Sequence, residues 1–310
     1  MKPLYIWAGG KNKMIAKYQK APGIPLSGYD TYVEPFFGGG AMMIHIYENA
    51  PDVKQFVLND VNPEIVGIYR AIKTDPDNFK SRMDQLQAQW LPLSHAERKT
   101  FYYELREQYT QHWSQWDSVQ ESATLYFMMK TAFNGIWQTT KTSNGRFATP
   151  VGLCNQTDSV YDADNVDQWH EFLQRVDIHC GDWSECVDQY RDHNAFYFMD
   201  PPYIDSFTSY GQVFDHKEQI KLLNFCHQAD HNGNLVFFCN RDDSTDIWQD
   251  NQGDLDLFHY DVTYTAGRRA TEKDGARTAK QATEVALCSK QIALNHSLIQ
   301  DRVFDTFFSA

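Results

Sequence analysis

The sequence predicts an α/β protein: one sheet with helices on both faces, interrupted by a mainly helical insertion. Three observations predict it. A strand, a glycine loop, a helix, a second strand and an acid follow one another between Thr31 and Asp60. A continuous apolar run, Ala195-Phe-Tyr-Phe-Met199, stops abruptly at Asp200-Pro201-Pro202-Tyr203. Between these two regions, residues 75–161 become polar, helical and rich in Gln, Trp and Tyr.

Each element follows from its residues. Thr31-Tyr-Val-Glu34 reads as a short strand that ends in Pro35-Phe36-Phe37-Gly38-Gly39-Gly40, and Ala41–Tyr47 reads as the helix after the loop. Gln55-Phe-Val-Leu58 is the next strand, ending at Asn59-Asp60. Asn62-Pro63-Glu64 then supplies an N-cap with proline at the first helical position. This order is a Rossmann-like βαβ nucleotide-binding unit. Within the insertion, Asn144-Gly145 marks a β-hairpin over about 134–150. The α/β pattern resumes with strands at Val176–Cys180, Ala195–Met199, Leu235–Cys239 and Thr283–Cys288, and with a helix from Lys217 to about Asp230. The expected organisation is a discontinuous α/β domain (1–74 and 162–310) around a mainly helical insert (75–161) that carries the hairpin.

Bulk composition excludes several classes. The 310 residues are 42% hydrophobic and 15% aromatic, which fits a globular chain rather than a disordered one. No run of apolar residues is long enough to span a bilayer, and Met1–Gly10 lacks the apolar core of a signal peptide. The six cysteines form no C-x-x-C pair and several lie in strand-like runs, so they read as buried thiols of a cytoplasmic protein. No metal site is expected. The net charge of −13 is unusual for a nucleic-acid binder, but its distribution is uneven. Residues 1–20 carry +5, residues 265–290 carry +3 and residues 152–200 carry −9. Such polarity allows one face to meet phosphates while the acidic remainder limits non-specific association.

Two motifs carry chemistry. Asp200-Pro201-Pro202-Tyr203 falls at the carboxyl edge of a strand, where open α/β sheets bind ligands. The prolines stiffen the turn, which presents one carboxylate, the Pro201 carbonyl and one aromatic face to a small volume. These groups accept the two hydrogens of an exocyclic amino group while the Tyr203 ring stacks on its base. In isolation a surface Pro-rich turn would look the same. The second motif is the Gly38–Gly40 loop. It lacks the Gly-Lys-Ser/Thr of a P-loop, and Met43 stands where a dinucleotide fingerprint needs its third glycine. An S-adenosylmethionine loop remains, with Asp60 placed to bind ribose hydroxyls.

The chain resembles the Dam-type (D12 class) DNA adenine-N6 methyltransferases. The resemblance rests on Trp7-Ala-Gly-Gly-Lys11, Glu34-Pro-Phe-Phe-Gly-Gly-Gly40, Asn59-Asp60-Val-Asn-Pro-Glu64 and Phe133-Asn-Gly-Ile136. Arg146-Phe-Ala-Thr-Pro-Val-Gly152, Asp200-Pro-Pro-Tyr203 and Glu284 complete the set, in the family's order. It implies that Trp7, Phe36, Gly38, Gly39 and Gly40 surround S-adenosylmethionine, with Asp60 on its ribose. It further implies that Asp182 and Trp183 flank the cofactor adenine and that Lys11 lies at the active-site edge. The implied reaction is methylation of the N6 amino group of an adenine flipped from duplex DNA. Methylation of another planar amine or amide (an RNA base, a protein glutamine) and an inactive DNA-binding relative are the rival readings.

For target reading, Asn134, Gln138, Lys141, Arg146, Arg268 and Arg269 are the expected DNA-facing residues. Relatives that read GATC resemble Asn-Gly-Leu-Cys-Arg at the hairpin start, where the arginine pairs with guanine. This chain has Asn134-Gly-Ile-Trp-Gln138, and glutamine pairs best with adenine, which argues against GATC. Oligomeric state and the role of residues 290–310 have no sequence signature.

Overall fold

The computed structural model describes residues 1–7, 9–203, 214–242, 246–264, 270–271, 277–278 and 280–294. In chain order its elements are α1 (Asn12–Tyr18), β1 (Thr31–Glu34), α2 (Ala41–Asn49), β2 (Gln55–Asp60), α3 (Pro63–Thr74), α4 (Pro76–Trp90), α5 (His95–His112), α6 (Ser118–Thr131) and α7 (Ala163–Leu173). There follow β3 (Val176–Cys180), α8 (Trp183–Asp188), β4 (Ala195–Met199), α9 (His216–His231), β5 (Leu235–Arg241), α10 (Ile247–Asp250) and β6 (Asp256–Tyr264). The last are β7 (Ala270–Thr271), β8 (Arg277–Thr278) and β9 (Lys280–Cys288).

The mixed α/β fold expected from the sequence is present. Seven strands form one sheet in the order β3-β2-β1-β4-β5-β9-β6, and β7 and β8 form a separate ribbon. Strands β1, β4 and β5 pair in parallel, with Thr31 opposite Ala195 and Met199 opposite Phe238. Burial on both faces explains their near-continuous apolar runs. The far edge departs from that pattern. β9 runs antiparallel to both β5 and β6. β6 is absent from the sequence-predicted strands because Asp256, His259 and Asp261 break its apolar run.

Helix starts follow capping chemistry. Asn62 accepts from Glu64 N ahead of Pro63, as expected. Asp75, Asp117 and Asp215 cap α4, α6 and α9 in the same way, and Ser94 with Glu97 forms a reciprocal capping box on α5. Each cap satisfies N–H groups that the helix itself leaves without partners. Among the described residues no helix is long and apolar enough to cross a membrane.

The chain divides into two compact units. The first comprises Met1–Gly10, Phe37–Ile44 and Leu58–Trp183. Its interior is the packing of α3 on α6 and α7 and of α4 on α6, around fully buried Phe79, Met83, Trp90, Tyr126 and Trp169. Arg98 ties this interior together by donating to the carbonyls of Trp90, Leu91, Cys154 and Gln156. Residues 133–152, also in this unit, double back at Asn144–Gly145. Both residues have positive φ and the Arg146 N–H bonds Ser143 O at 2.9 Å, which is the chemistry of the expected hairpin turn. The reversal has no regular strands, however. Its β pairing is a single bridge, Ala132 to Val151, because side-chain bonds such as Gln138 N to Thr149 Oγ1 replace ladder bonds. The second unit comprises Lys11–Phe36, His45–Val57 and Ser184–Ala310. Its core is the β1-β4-β5-β9-β6 part of the sheet, with α9 packed on β5.

Candidate active site

In the first unit the chain is organised around the end of β2. Asp60 is buried and accepts two backbone N–H groups, Gly38 N at 3.0 Å and Asn62 N at 2.9 Å. Its neighbour Asn59 donates to Gly181 O, and Gly181 N donates to Asp60 O. Those bonds fix the turn that carries Asp182 and Trp183 beside the end of β2, with Trp183 buried at the start of α8. Burial raises the Asp60 carboxyl above its ordinary value, opposed by the N–H groups of Asn62, Gly38 and Val61.

The glycine loop is shaped by close approach. Gly38 has φ +51°, and a Cβ there would lie 2.6 Å from Trp7 Nε1. Gly40 has φ +66°, and its Cβ would meet the Phe37 ring at 2.3 Å. Only glycine meets both demands. Gly39 lies under Trp7 Cβ, and Tyr5 Oη donates to Gly38 O at 3.0 Å. Trp7, Gly38, Gly39, Asp60, Asp182 and Trp183 therefore share one unit, as does Gly40. Phe36 belongs to the second unit, where its ring meets Phe214 edge-on at 5.6 Å.

The second unit holds a buried charge cluster. Asp200 begins the turn after β4. Its Oδ1 lies 2.9 Å from Lys11 Nζ, with the lysine side chain 3% and the aspartate side chain 20% exposed. Glu284, from β9, places Oε2 3.8 Å from the same ammonium. Lys11 also donates to Tyr203 Oη, and that hydroxyl donates to Glu284 Oε1 at 3.2 Å. Tyr18 reaches Glu284 Oε2 at 3.4 Å, and Cys239 Sγ lies 3.5 Å from Asp200 Oδ1. One ammonium is thus shared by two carboxylates. Burial lowers the Lys11 pKa, but Asp200 foremost overrides it and the net direction is upward. Burial raises the Asp200 carboxyl, and Lys11 opposes that rise. Behind the turn, Gln219 Nε2 donates to the Pro202 carbonyl at 2.9 Å and is itself held by Asn240. The structure thus brings Lys11, Asp200 and Tyr203 together with Pro201 and Pro202. It adds Glu284, Tyr18, Cys239 and Gln219, which the sequence did not single out as site residues. A lone acid immediately before the apolar run Val285–Cys288 was the available signal for Glu284, since buried charge needs a partner.

The expected DNA-facing residues fall into three groups. Asn134, Gln138 and Lys141 are exposed on the first unit's doubled-back segment. Arg146 is not offered in that way. Its side chain is 11% exposed, paired with Glu64 at 3.4 Å and with Glu121, and stacked over Tyr109 and Trp113. Arg268 and Arg269 lie outside the described residues. Among the described residues no cluster of His, Cys, Asp or Glu is arranged to hold a metal ion.

Fold and cluster define an α/β protein with a paired carboxylate and ammonium at the end of a central strand. A profile of the D12 class N6 adenine-specific DNA methyltransferases matches residues 7–260. The chain is 30% identical over 248 residues to the type II methyltransferase M.MjaIII of Methanocaldococcus jannaschii, covering 77% of this chain and 84% of that one. It is 33% identical to the type II methyltransferase M.CviBI of Paramecium bursaria Chlorella virus NC1A, over 73% of this chain and 78% of the relative. It is 26% identical to a DNA adenine methylase of Vibrio cholerae, over 76% and 80%. The chain belongs to the D12 class N6 adenine-specific DNA methyltransferase family.

Proposed function

We propose that this chain binds S-adenosylmethionine through Trp7, Phe36, the Gly38–Gly40 loop, Asp60, Asp182 and Trp183. It transfers the methyl group to the N6 amino group of an adenine turned out of duplex DNA. The donor set fits the cofactor. The Asp60 carboxylate meets the backbone N–H groups of Gly38, Asn62 and Val61, and a carboxylate has about four lone-pair positions, so capacity remains for a ribose hydroxyl. When bound, the cofactor supplies a methyl group activated on a sulfonium.

The observation that carries the reading is the hydrogen bond from Lys11 to Asp200. The carboxylate already accepts an N–H donor at 2.9 Å, as it must accept the adenine amino group. That amino nitrogen is a poor nucleophile because its lone pair is delocalised into the ring. By accepting its N–H bonds, Asp200 and the Pro201 carbonyl favour pyramidal nitrogen and oppose the positive charge that grows there during attack. The Pro202 carbonyl is engaged by Gln219 instead. Tyr203 supplies the stacking face, its ring fixed by the hydroxyl's bonds to Lys11 and Glu284. After transfer, the nitrogen sheds one proton. Asp200 is suited to take it, because burial raises its carboxyl. Residues 75–161 carry target recognition, with Gln138 and Asn134 facing bases and Lys141 facing phosphate.

The test is direct. Purified protein is incubated with methyl-labelled S-adenosylmethionine and mixed-sequence duplex DNA, and the DNA is digested to nucleosides. Label in N6-methyladenine is the expected result. Label confined to protein or RNA, or cofactor binding without turnover, would overturn it.

A further inference from the structure

Arg146 is an expected DNA-facing residue whose contacts in the first unit the DNA-binding chemistry leaves unexplained. Its guanidinium carries one positive charge but faces two carboxylates, Glu64 and Glu121, so the cluster is net negative. A phosphate brought to it would be repelled by the excess carboxylate. Tyr109 and Trp113 hold their rings 4.4 and 4.5 Å from the guanidinium carbon, which adds cation–π contacts to the ion pairs.

The partners of Arg146 lead back to the cofactor strand by two separate routes. The polar route starts at Gly38 N, which bonds Asp60, and Asp60 bonds Asn62 N. Asn62 caps Glu64 N at 3.0 Å, and the Glu64 carboxylate accepts from Tyr109, from Arg146 and, at 3.5 Å, from Phe147 N. The aromatic route starts at Trp7, against which Gly38 is pressed, and passes to Trp137 at 6.1 Å. Trp137 in turn meets Phe147 at 5.1 Å. Both routes begin at Gly38 and converge on Arg146-Phe147, just past the Asn144–Gly145 turn. The result is a closed ring of contacts between the glycine loop and the segment that carries Gln138.

We propose that Glu64 and Arg146 are positioning residues that couple the glycine loop to the recognition segment, so that cofactor occupancy sharpens target discrimination, and that Arg146 does not contact DNA. This rests on the function proposed above. The general physics is that residues in one charged network act as a unit, and coupled ligands share a reciprocal free energy.

The test uses the full chain and a duplex carrying the site that wild type methylates. Glu64→Gln, Arg146→Gln and the double variant are compared, with Arg146→Lys as a charge-retaining control and circular dichroism as a check on folding. The first readout is DNA affinity with and without S-adenosylhomocysteine. The wild type should bind the target more tightly with it, and each single variant should lose that gain. The second is the kcat/KM ratio for the target over single-base variants, which should fall roughly tenfold in each single variant and no further in the double. The third is the salt dependence of binding. A phosphate contact contributes about 0.9 to the log–log slope, so Arg146→Gln should leave that slope unchanged. A slope reduced by about one in Arg146→Gln, or single losses that multiply in the double, would overturn the proposal. If Arg146→Gln does not fold, Glu64→Gln decides, because a cofactor gain equal to wild type there would sink the coupling. Failure of the wild type to methylate adenine would instead strike the proposed function.

Discussion

The buried cluster makes an asymmetric prediction about charge removal. Lys11 sits 2.9 Å from Asp200 and 3.8 Å from Glu284, so the three groups together carry one net negative charge. In an effective dielectric of about 20, each attraction has a gross value of roughly 4–6 kcal/mol. Replacing Asp200 by Asn forfeits one of them. It also ends the repulsion between Asp200 and Glu284 and leaves Lys11–Glu284 as a neutral pair. Its net cost should be about 1 kcal/mol or less. Lys11→Met forfeits both attractions and leaves two facing carboxylates, the situation in which breaking a buried pair costs about 3–5 kcal/mol. Urea unfolding monitored by circular dichroism at pH 7 measures both. The Lys11→Met deficit should also shrink as pH falls. A carboxyl whose folded pKa is raised regains stability when it protonates, and without the ammonium only the Cys239 contact opposes that rise. Asp200→Asn should bind S-adenosylmethionine normally yet lose about 10²–10³ in kcat, the usual cost of removing one group that stabilises developing charge. Equal destabilisation by the two substitutions, or an Asp200→Asn enzyme with wild-type kcat, would refute the reasoning.

Three further outcomes are expected. Gly38→Ala forces a side chain to within 2.6 Å of Trp7 Nε1 at a φ of +51°, and should weaken S-adenosylmethionine binding at least about tenfold by calorimetric titration; unchanged affinity would remove the loop from the cofactor site. Gln138→Arg should shift the methylated sequence towards guanine at one position by roughly 1–3 kcal/mol of discrimination, read by sequencing the methylated DNA; an unchanged site would mean that another residue reads that base. At alkaline pH, Tyr18, Tyr32, Tyr109 and Tyr203 have pKa values raised well above 10.0, chiefly by burial. Between pH 10 and those values the unfolded chain has lost protons that the folded chain keeps, so stability falls by about 1.4 kcal/mol per pH unit for each such group. Absorbance at 295 nm should therefore show these tyrosines ionising together with loss of circular dichroism, and their ionisation in still-folded protein would contradict the burial.

Much of the fold was legible because its signals are local. Ala195–Met199 is an uninterrupted apolar strand, Val176–Cys180 alternates apolar residues with Asp177 and His179, and Asn62-Pro63 marks a helix start from adjacent residues alone. The antiparallel edge was harder. β6 earns its place through pairing with β9, from Asp256 opposite Cys288 onward, rather than through its own pattern. In the candidate site, Asp200-Pro-Pro-Tyr203 was legible as a rigid acidic turn, and the family resemblance put Lys11 at the active-site edge and Glu284 in the last matched strand. What the sequence left out was the network itself, since only tertiary pairing makes a lysine near the chain start and a glutamate near its end neighbours of Asp200.

Arg146 and Gln138 show why residue type alone misleads. By type, an arginine beside an exposed turn is the better candidate for a nucleic-acid contact, and a glutamine the weaker one. The structure reverses their availability. Glu64 and Glu121 neutralise the arginine and then exceed its charge, while Gln138 anchors its backbone to Thr149 and Ala148 and leaves its side chain exposed. The same principle governs Lys11, whose ammonium is committed to two carboxylates before any substrate arrives. A buried charge must be partnered, so its function is set by what partners it, and an adenine amino group that reaches Asp200 has to share or displace the bond Lys11 already makes. On the proposed reaction, binding of the target base would be a competition for one carboxylate, with its outcome set by how firmly Glu284 and Tyr203 hold the lysine in reserve.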